Sequence, residues 1–221
     1  MLALIFAGSA HAQIAAEISI ASDNDFRGNS LSDGDPVATF SLTADGRAGW
    51  FGGVLVSQAH FNHYHYDRSG PQFVSDAGYA GTIAGGWSWE AGATSTLFPN
   101  SSIYDYHEFF AGLAKQAWST RIYLSPNYYG RGFRSQYAEF NYTRPLGARW
   151  HLLAHIGVQH SDVPMAEASK TTFDTRLGVA VQWQRIDMQL SWVNTNRISY
   201  LEPVVADSDR HTLILRVSCP L

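Results

Sequence analysis

Apolar and polar positions alternate along most of this chain. In RWHLLAHIGVQH, Trp150, Leu152, Ala154, Ile156 and Val158 fall on one face, and His151, His155, Gly157 and Gln159 on the other. FDTRLGVAVQW sets Phe173, Leu177, Val179, Val181 and Trp183 against Asp174, Arg176, Gly178 and Gln182. IDMQLSW and HTLILRVSCPL repeat the split, with Ile186, Met188, Leu190 and Trp192, then Leu213, Leu215 and Val217, as the apolar series. A period of two marks strands whose faces meet unlike surroundings. AAEISIAS, EAGATSTLF, TRIYLSPNY and YAEFNYT follow the same rule, whereas WFGGVLVSQ is apolar on both faces and its facing stays open.

Breaking the chain at its turn residues predicts about twelve strands, an even number, with connections that alternate in length. Tight links fall near Asp45–Gly49, Gly85–Trp87, Gln116–Trp118, Pro145–Gly147 and Arg185–Ile186. Longer ones fall near Arg27–Asp35, His63–Gln72, Asn100–Asp105, Gly130–Ser135, Ser161–Lys170 and Arg197–Asp209. Short turns at one end and long loops at the other are the habit of outer-membrane barrels. The expected fold is therefore all-β: one closed, antiparallel, up-and-down transmembrane β-barrel over residues 13–221. No stretch reaches the ~18 to 20 apolar residues of a spanning helix, but a barrel strand needs only about nine to eleven alternating ones.

The second face decides which way the barrel turns. A solvated outer face is rich in Lys and Glu, but here it carries Gly, Ala, Ser and Thr with a thin scatter of charge. The apolar face is accordingly expected to meet lipid and the mixed face to line the lumen. The expected lumen charges are Glu17, Glu90, Glu108, Arg121, Glu139, Asp174, Arg176 and Arg216. Of these, Arg121, Glu139, Asp174, Arg176 and Arg216 are the expected solute contacts. Trp50, Trp87, Trp89, Trp118, Trp150 and Trp183 lie beside the short turns, where an interfacial girdle belongs, and Trp192 is the exception.

Composition agrees. Only 15% of residues are charged and 14% are aromatic, against roughly 25% charged in an average soluble protein. A net charge of -4 and a pI near 6.1 leave no basic surface for nucleic acid. Cys219 is the single cysteine, which excludes an internal disulfide. At the start, MLALIFAGSAHAQ combines an apolar run with Ala10-His11-Ala12, so residues 1–12 are expected to be a signal peptide cut before Gln13. Its basic n-region is missing, and the true start is expected to lie further upstream. Export places the barrel in a bacterial outer membrane, with both chain ends expected on the periplasmic side.

The segment SDNDFRGNSLSDGDP, from Ser22 to Pro36, stands between two alternating runs. It is not a phosphate cradle, because no helix follows to lend its amides. Its acids also lack the spacing and closing Glu of a calcium loop. It reads as the first external hairpin loop, with Phe26, Arg27 and Gly28 ending strand one at the rim and Arg27 at the pore mouth.

Phe26, Arg27, Gly28, Ser30, Ser32, Asp35 and Pro36, followed by Trp50 and Phe51, resemble the N-terminal signature of the TorF family of porins, a proteobacterial family of unknown function. The likeness continues through Leu97-Phe98-Pro99, YHEFFAG (Tyr106–Gly112), SPNYYG (Ser125–Gly130) and LAHIGVQ (Leu153–Gln159). The resemblance implies an outer-membrane barrel with a pore-forming role. The chain departs from outer-membrane barrels in ending on Cys219-Pro220-Leu221 where a terminal aromatic is usual.

Sharper chemistry is weaker in the sequence. His60, His63 and His65 sit close together, but His60 is on the other strand face and nothing completes a metal set, so no metal and no cofactor are expected. No G-x-S-x-G elbow or comparable nucleophile spacing appears, and no enzyme is expected. Two functions remain: a channel for small solutes or ions, or a barrel plugged by its own side chains that acts through its external loops. The expected partners are membrane lipid, the barrel-insertion machinery and small solutes, and the oligomeric state is open.

Overall fold

A computed structural model describes residues 13–60, 62–63, 66–67, 69–162, 171–196 and 211–221. The expected signal segment, His65, and the loop segments 163–170 and 197–210 lie outside the described residues. The alternating segments form β1 (Gln13–Ala21), β2 (Val37–Asp45), β3 (Trp50–Ala59) and β4 (Gly70–Ile83). There follow β5 (Trp87–Leu97), β6 (Tyr106–Lys115), β7 (Trp118–Ser125) and β8 (Ser135–Pro145). The last four are β9 (Trp150–Ser161), β10 (Thr171–Trp183), β11 (Ile186–Thr195) and β12 (His211–Pro220).

Each strand pairs antiparallel with the next, and β12 returns to β1 in the register Glu17↔Pro220 to Ala21↔Arg216, closing a barrel of twelve strands. Closure removes both sheet edges, so the ladder satisfies the backbone without water, which is the condition for a sheet in hydrocarbon. The tight turns gather at one end with Gln13 and Leu221, and the described parts of the longer connections gather at the other.

The barrel is inside-out relative to a soluble protein. Ile14, Leu213 and Phe109 are 72%, 65% and 62% exposed on the outer face, while Ser19, Gln72, Thr96 and Asp174 are buried inside. Water would penalise that surface, whereas lipid solvates it. The open facing of WFGGVLVSQ is settled by its neighbours. Val56 pairs with outward Phe40 and Phe73, which sends Phe51, Leu55 and Ser57 inward. Phe51 then meets Phe110 across the lumen wall, with ring centroids 6.3 Å apart.

At the tight-turn end Trp50, Trp150 and Trp183 are all more than half exposed, and Trp87 meets Trp118 edge-on at 4.8 Å. Trp192, at the opposite end, stacks on His211.

Candidate functional site

The Ser22–Pro36 segment does not stand free at a rim. Asp25–Phe26 and Asn29–Ser30 pair as a miniature hairpin, with Arg27 and Gly28 at φ 53° and 79° as its two-residue turn. Positive φ at both turn positions matches the twist of a tight hairpin. Its neighbours hold it from both sides. The Asp23 carboxylate lies 2.5 Å from Ser30 Oγ and 3.0 Å from Ser32 Oγ, and Ser32 Oγ accepts from the Asn24 amide. Asn24 Nδ2 donates to the Gln58 carbonyl on β3, and Leu31 bonds backbone to backbone with Asn24 and His60.

So anchored, the turn points into the barrel. A Cβ on Gly28 would lie 2.8 Å from the Cβ atoms of both Asp174 and Thr195, so only glycine lets the turn press against β10 and β11. Arg27 is 8% exposed and crosses to β6, where its Nη1 and Nη2 donate to Glu108 Oε1 and Oε2 at 2.9 and 2.8 Å. The rings of Phe26, Tyr123 and Tyr137 surround the guanidinium at 4.2–4.8 Å. Burial works against its charge, yet the Glu108 carboxylate and Tyr128 beside it raise the Arg27 pKa above its ordinary value.

Residues of two other loops pack at the same end. Leu31, Ala59, Phe98, Tyr106, Tyr129 and Phe133 belong to a small apolar core there, in which Tyr106, Tyr128 and Tyr129 pack ring against ring at 4.7–5.1 Å. The long-loop end of the barrel thus holds loop residues packed against the wall, the hairpin among them tied to it by the buried Arg27–Glu108 pair and by Arg176–Asp25.

Below these loop residues the lumen wall is charged. Arg121 on β7 reaches Glu90 on β5, Nε to Oε1 at 2.7 Å, across Gly112 of the strand between them. A Cβ at Gly112 would meet Glu90 Oε1 at 2.7 Å, so the glycine is the gap through which the pair forms. Gly157 opens the same kind of gap between β8 and β10. Across it the Tyr137 hydroxyl donates to Asp174 Oδ1 at 3.1 Å, and His155 Nε2 lies 2.8 Å from the same oxygen. Asn141 Oδ1 holds the other nitrogen of His155 at 2.7 Å. Arg176 pairs with Asp25 of the hairpin, and Arg216 donates to Ser19 Oγ at 2.8 Å.

All eight charged residues expected on the mixed face sit on the inward side of the strands, and the structure brings four of them into three arginine–carboxylate pairs. Glu90 and Arg121 join each other, whereas Glu108 takes Arg27 and Arg176 takes Asp25. Glu139 stands opposite Arg121 in register, but the guanidinium turns away from it to Glu90. Glu17 and Glu139 form no ion pair among the described residues.

Arg27, expected at an outer mouth, lies buried inside, where the Glu108 carboxylate and the surrounding rings compensate its charge. Asp35 and Pro36 stay exposed at the long-loop end, where His60 Nδ1 lies 3.8 Å from Asp35. No group of His, Cys, Asp and Glu suited to a metal occurs among the described residues.

Sequence reasoning passed over Asp25 and Asp76 as lumen groups, whereas His155 and Asp187 stand on the mixed face it had assigned to the lumen. Asp25 carries no such signal, because it lies in a loop.

The fold is that of outer-membrane porins, a closed antiparallel barrel of twelve strands. The chain belongs to the bacterial family of unknown function Gcw_chp, whose model matches residues 6–212. That description, and not the TorF name, is the one the match supplies. KdgM porin is similar with a TM-score of 0.54 at 9% identity, covering 94% of this chain and 98% of that one. NanC porin gives 0.55 at 10%, covering 92% and 98%. LpxR from Salmonella typhimurium gives 0.50 at 7%, covering 94% and 99%. A further KdgM structure is described as a complex with disordered oligogalacturonate. Among curated proteins no sequence match is found.

Proposed function

We propose that this protein is an outer-membrane channel for small solutes, held closed at rest by the plug at its long-loop end. The observation that carries the reading is the Arg27–Glu108 pair, a buried bidentate contact linking the loop hairpin to the barrel wall inside the lumen. A buried ion pair is a weak source of net stability but a strong discriminator between two arrangements, since either partner alone is costly. That is the property a gate requires. The lumen charges below it are only partly covered, with the Arg121 and Arg176 side chains 19% and 34% exposed, as groups that meet water are.

The likeness to KdgM and NanC porins supports the channel class and leaves the solute to the lumen's own chemistry. Three of the four inward guanidiniums are engaged by carboxylates, while Glu17, Asp76, Glu139 and Asp187 form no ion pair among the described residues. Such a balance favours cations and disfavours acidic oligosaccharides.

A second reading has its own support: the apolar core over the long-loop end is well packed, as in a permanently plugged barrel that acts through its loops. Planar-bilayer recording of the purified protein separates the two. Brief current steps that lengthen in Arg27→Met support the channel. Silence from wild type and variant alike, with both folded by heat-modifiable gel migration, leaves the plugged barrel.

A further inference from the structure

The rim at the tight-turn end is basic. Arg47 lies in the β2–β3 turn, Lys115 ends β6, Arg144 and Arg149 flank the β8–β9 turn, and Arg185 lies in the β10–β11 turn. Four of the five are exposed, and none forms an ion pair among the described residues. Because the turns follow one another around a closed barrel, these charges form a ring and not a patch. Asp45 is the acid that accompanies them on the exposed rim. The described part of the long-loop end is mixed instead, with Arg131 and Arg134 set among Asp33, Asp35 and Asp162.

The same turns carry the tryptophans. Arg149 precedes Trp150, Arg47 stands three residues before Trp50, Arg185 two after Trp183, and the Lys115 ammonium lies 5.2 Å from the Trp87 ring centroid. An indole marks the depth where hydrocarbon gives way to headgroups, and a long basic side chain beside it reaches outward to that layer.

From this pairing we propose that the tight-turn rim binds anionic phospholipid headgroups, each exposed Arg or Lys meeting a lipid phosphate just beyond the tryptophan belt. The ring commits the barrel to one orientation, with the tight turns and both chain ends in the leaflet that presents phospholipid. The occupant is argued from charge: on the exposed rim four arginines, Arg47, Arg144, Arg149 and Arg185, stand against the one acid Asp45, and a zwitterionic headgroup neutralises such a ring less than an anionic one.

The test uses the tryptophans as reporters. The full-length protein is reconstituted in mixed vesicles, and its fluorescence is quenched by brominated phosphatidylglycerol or by brominated phosphatidylcholine. The expected result is a preference for phosphatidylglycerol of about fivefold, the equivalent of one basic residue near an anionic surface, falling with added salt. Arg47→Gln, Arg144→Gln, Arg149→Gln and Arg185→Gln combined should abolish the preference, while Arg131→Gln with Arg134→Gln should keep it. All six side chains are exposed, and heat-modifiable migration verifies that each variant has folded. Equal quenching by the two lipids in wild type overturns the proposal. So does a preference that survives loss of the rim charges, or one that disappears with the Arg131 and Arg134 pair.

Discussion

Replacing Arg27 by methionine removes the cation from the plug and leaves Glu108 facing an apolar neighbour. The pair it breaks is bidentate, at 2.9 and 2.8 Å, with the two side chains 6% and 4% exposed, so solvent screening offers little relief. Breaking such a pair from one side costs about 3–5 kcal/mol. The cost falls on the closed state, because an opened hairpin lets Glu108 rehydrate. At about 1.4 kcal/mol per tenfold, the closed–open equilibrium of the plug shifts by roughly a hundred- to a few-thousand-fold.

The assay is thiol labelling of Leu31→Cys in a Cys219→Ser background. Leu31 is 1% exposed beneath the hairpin, and Cys219 is the single native thiol. Labelling should be slow with Arg27 in place and faster by about two powers of ten or more in Arg27→Met. Arg27→Met combined with Glu108→Leu should recover much of the protection, since an apolar pair replaces a stranded carboxylate. An unchanged labelling rate in a folded Arg27→Met barrel would refute the latch and leave the tyrosine core as what holds the plug.

Three further outcomes follow from the same geometry. Leu215→Lys places a charge on the outer face where Leu215 is 52% exposed; in lipid it should cost about 2–4 kcal/mol of folding stability, and a neutral effect in vesicle refolding titrations contradicts the lipid-facing assignment. Gly157→Ala drives a Cβ into the Tyr137 hydroxyl and sets it 2.5 Å from Asp174 Oδ2, so the heat-modification midpoint should fall, by the equivalent of about 1–3 kcal/mol; an unshifted midpoint means the Tyr137–Asp174 contact does not hold β8 to β10. Reversal potentials in a KCl gradient should show K+ preferred over Cl−, with Asp76→Asn plus Glu139→Gln moving the ratio toward one; an anion preference in wild type rules out the cation-favouring lumen.

Strand alternation carried most of the fold. Leu213, Leu215 and Val217 on one side of β12, with Thr212 and Arg216 on the other, fix which face is apolar, and the sorting of short and long connections fixes the up-and-down order. Where alternation fails, as in WFGGVLVSQ, the facing came only from pairing with β2 and β4. The candidate site was legible to the extent that it lies on strands. Glu90 and Arg121 share a face by parity alone, but that they meet depends on Gly112 sitting between them in the assembled register. Glu139 is the residue directly opposite Arg121 in the register, and that opposition too is visible only in the assembled barrel.

The hairpin marks the boundary most clearly. Its motif was conspicuous as a sequence, and its turn chemistry, Arg27-Gly28 between two short strands, is local. Its direction is not local. Whether Ser22–Pro36 stands outside or folds in depends on a carboxylate 81 residues away on β6, and on room beside Asp174 and Thr195 that Gly28 alone can occupy. By itself the sequence determined a closed lipid-facing barrel, because periodicity and turn residues act over a few neighbours. Only the tertiary structure decided that the hairpin folds into the barrel and which charges pair, because ion pairs across a lumen join residues that the chain order keeps far apart.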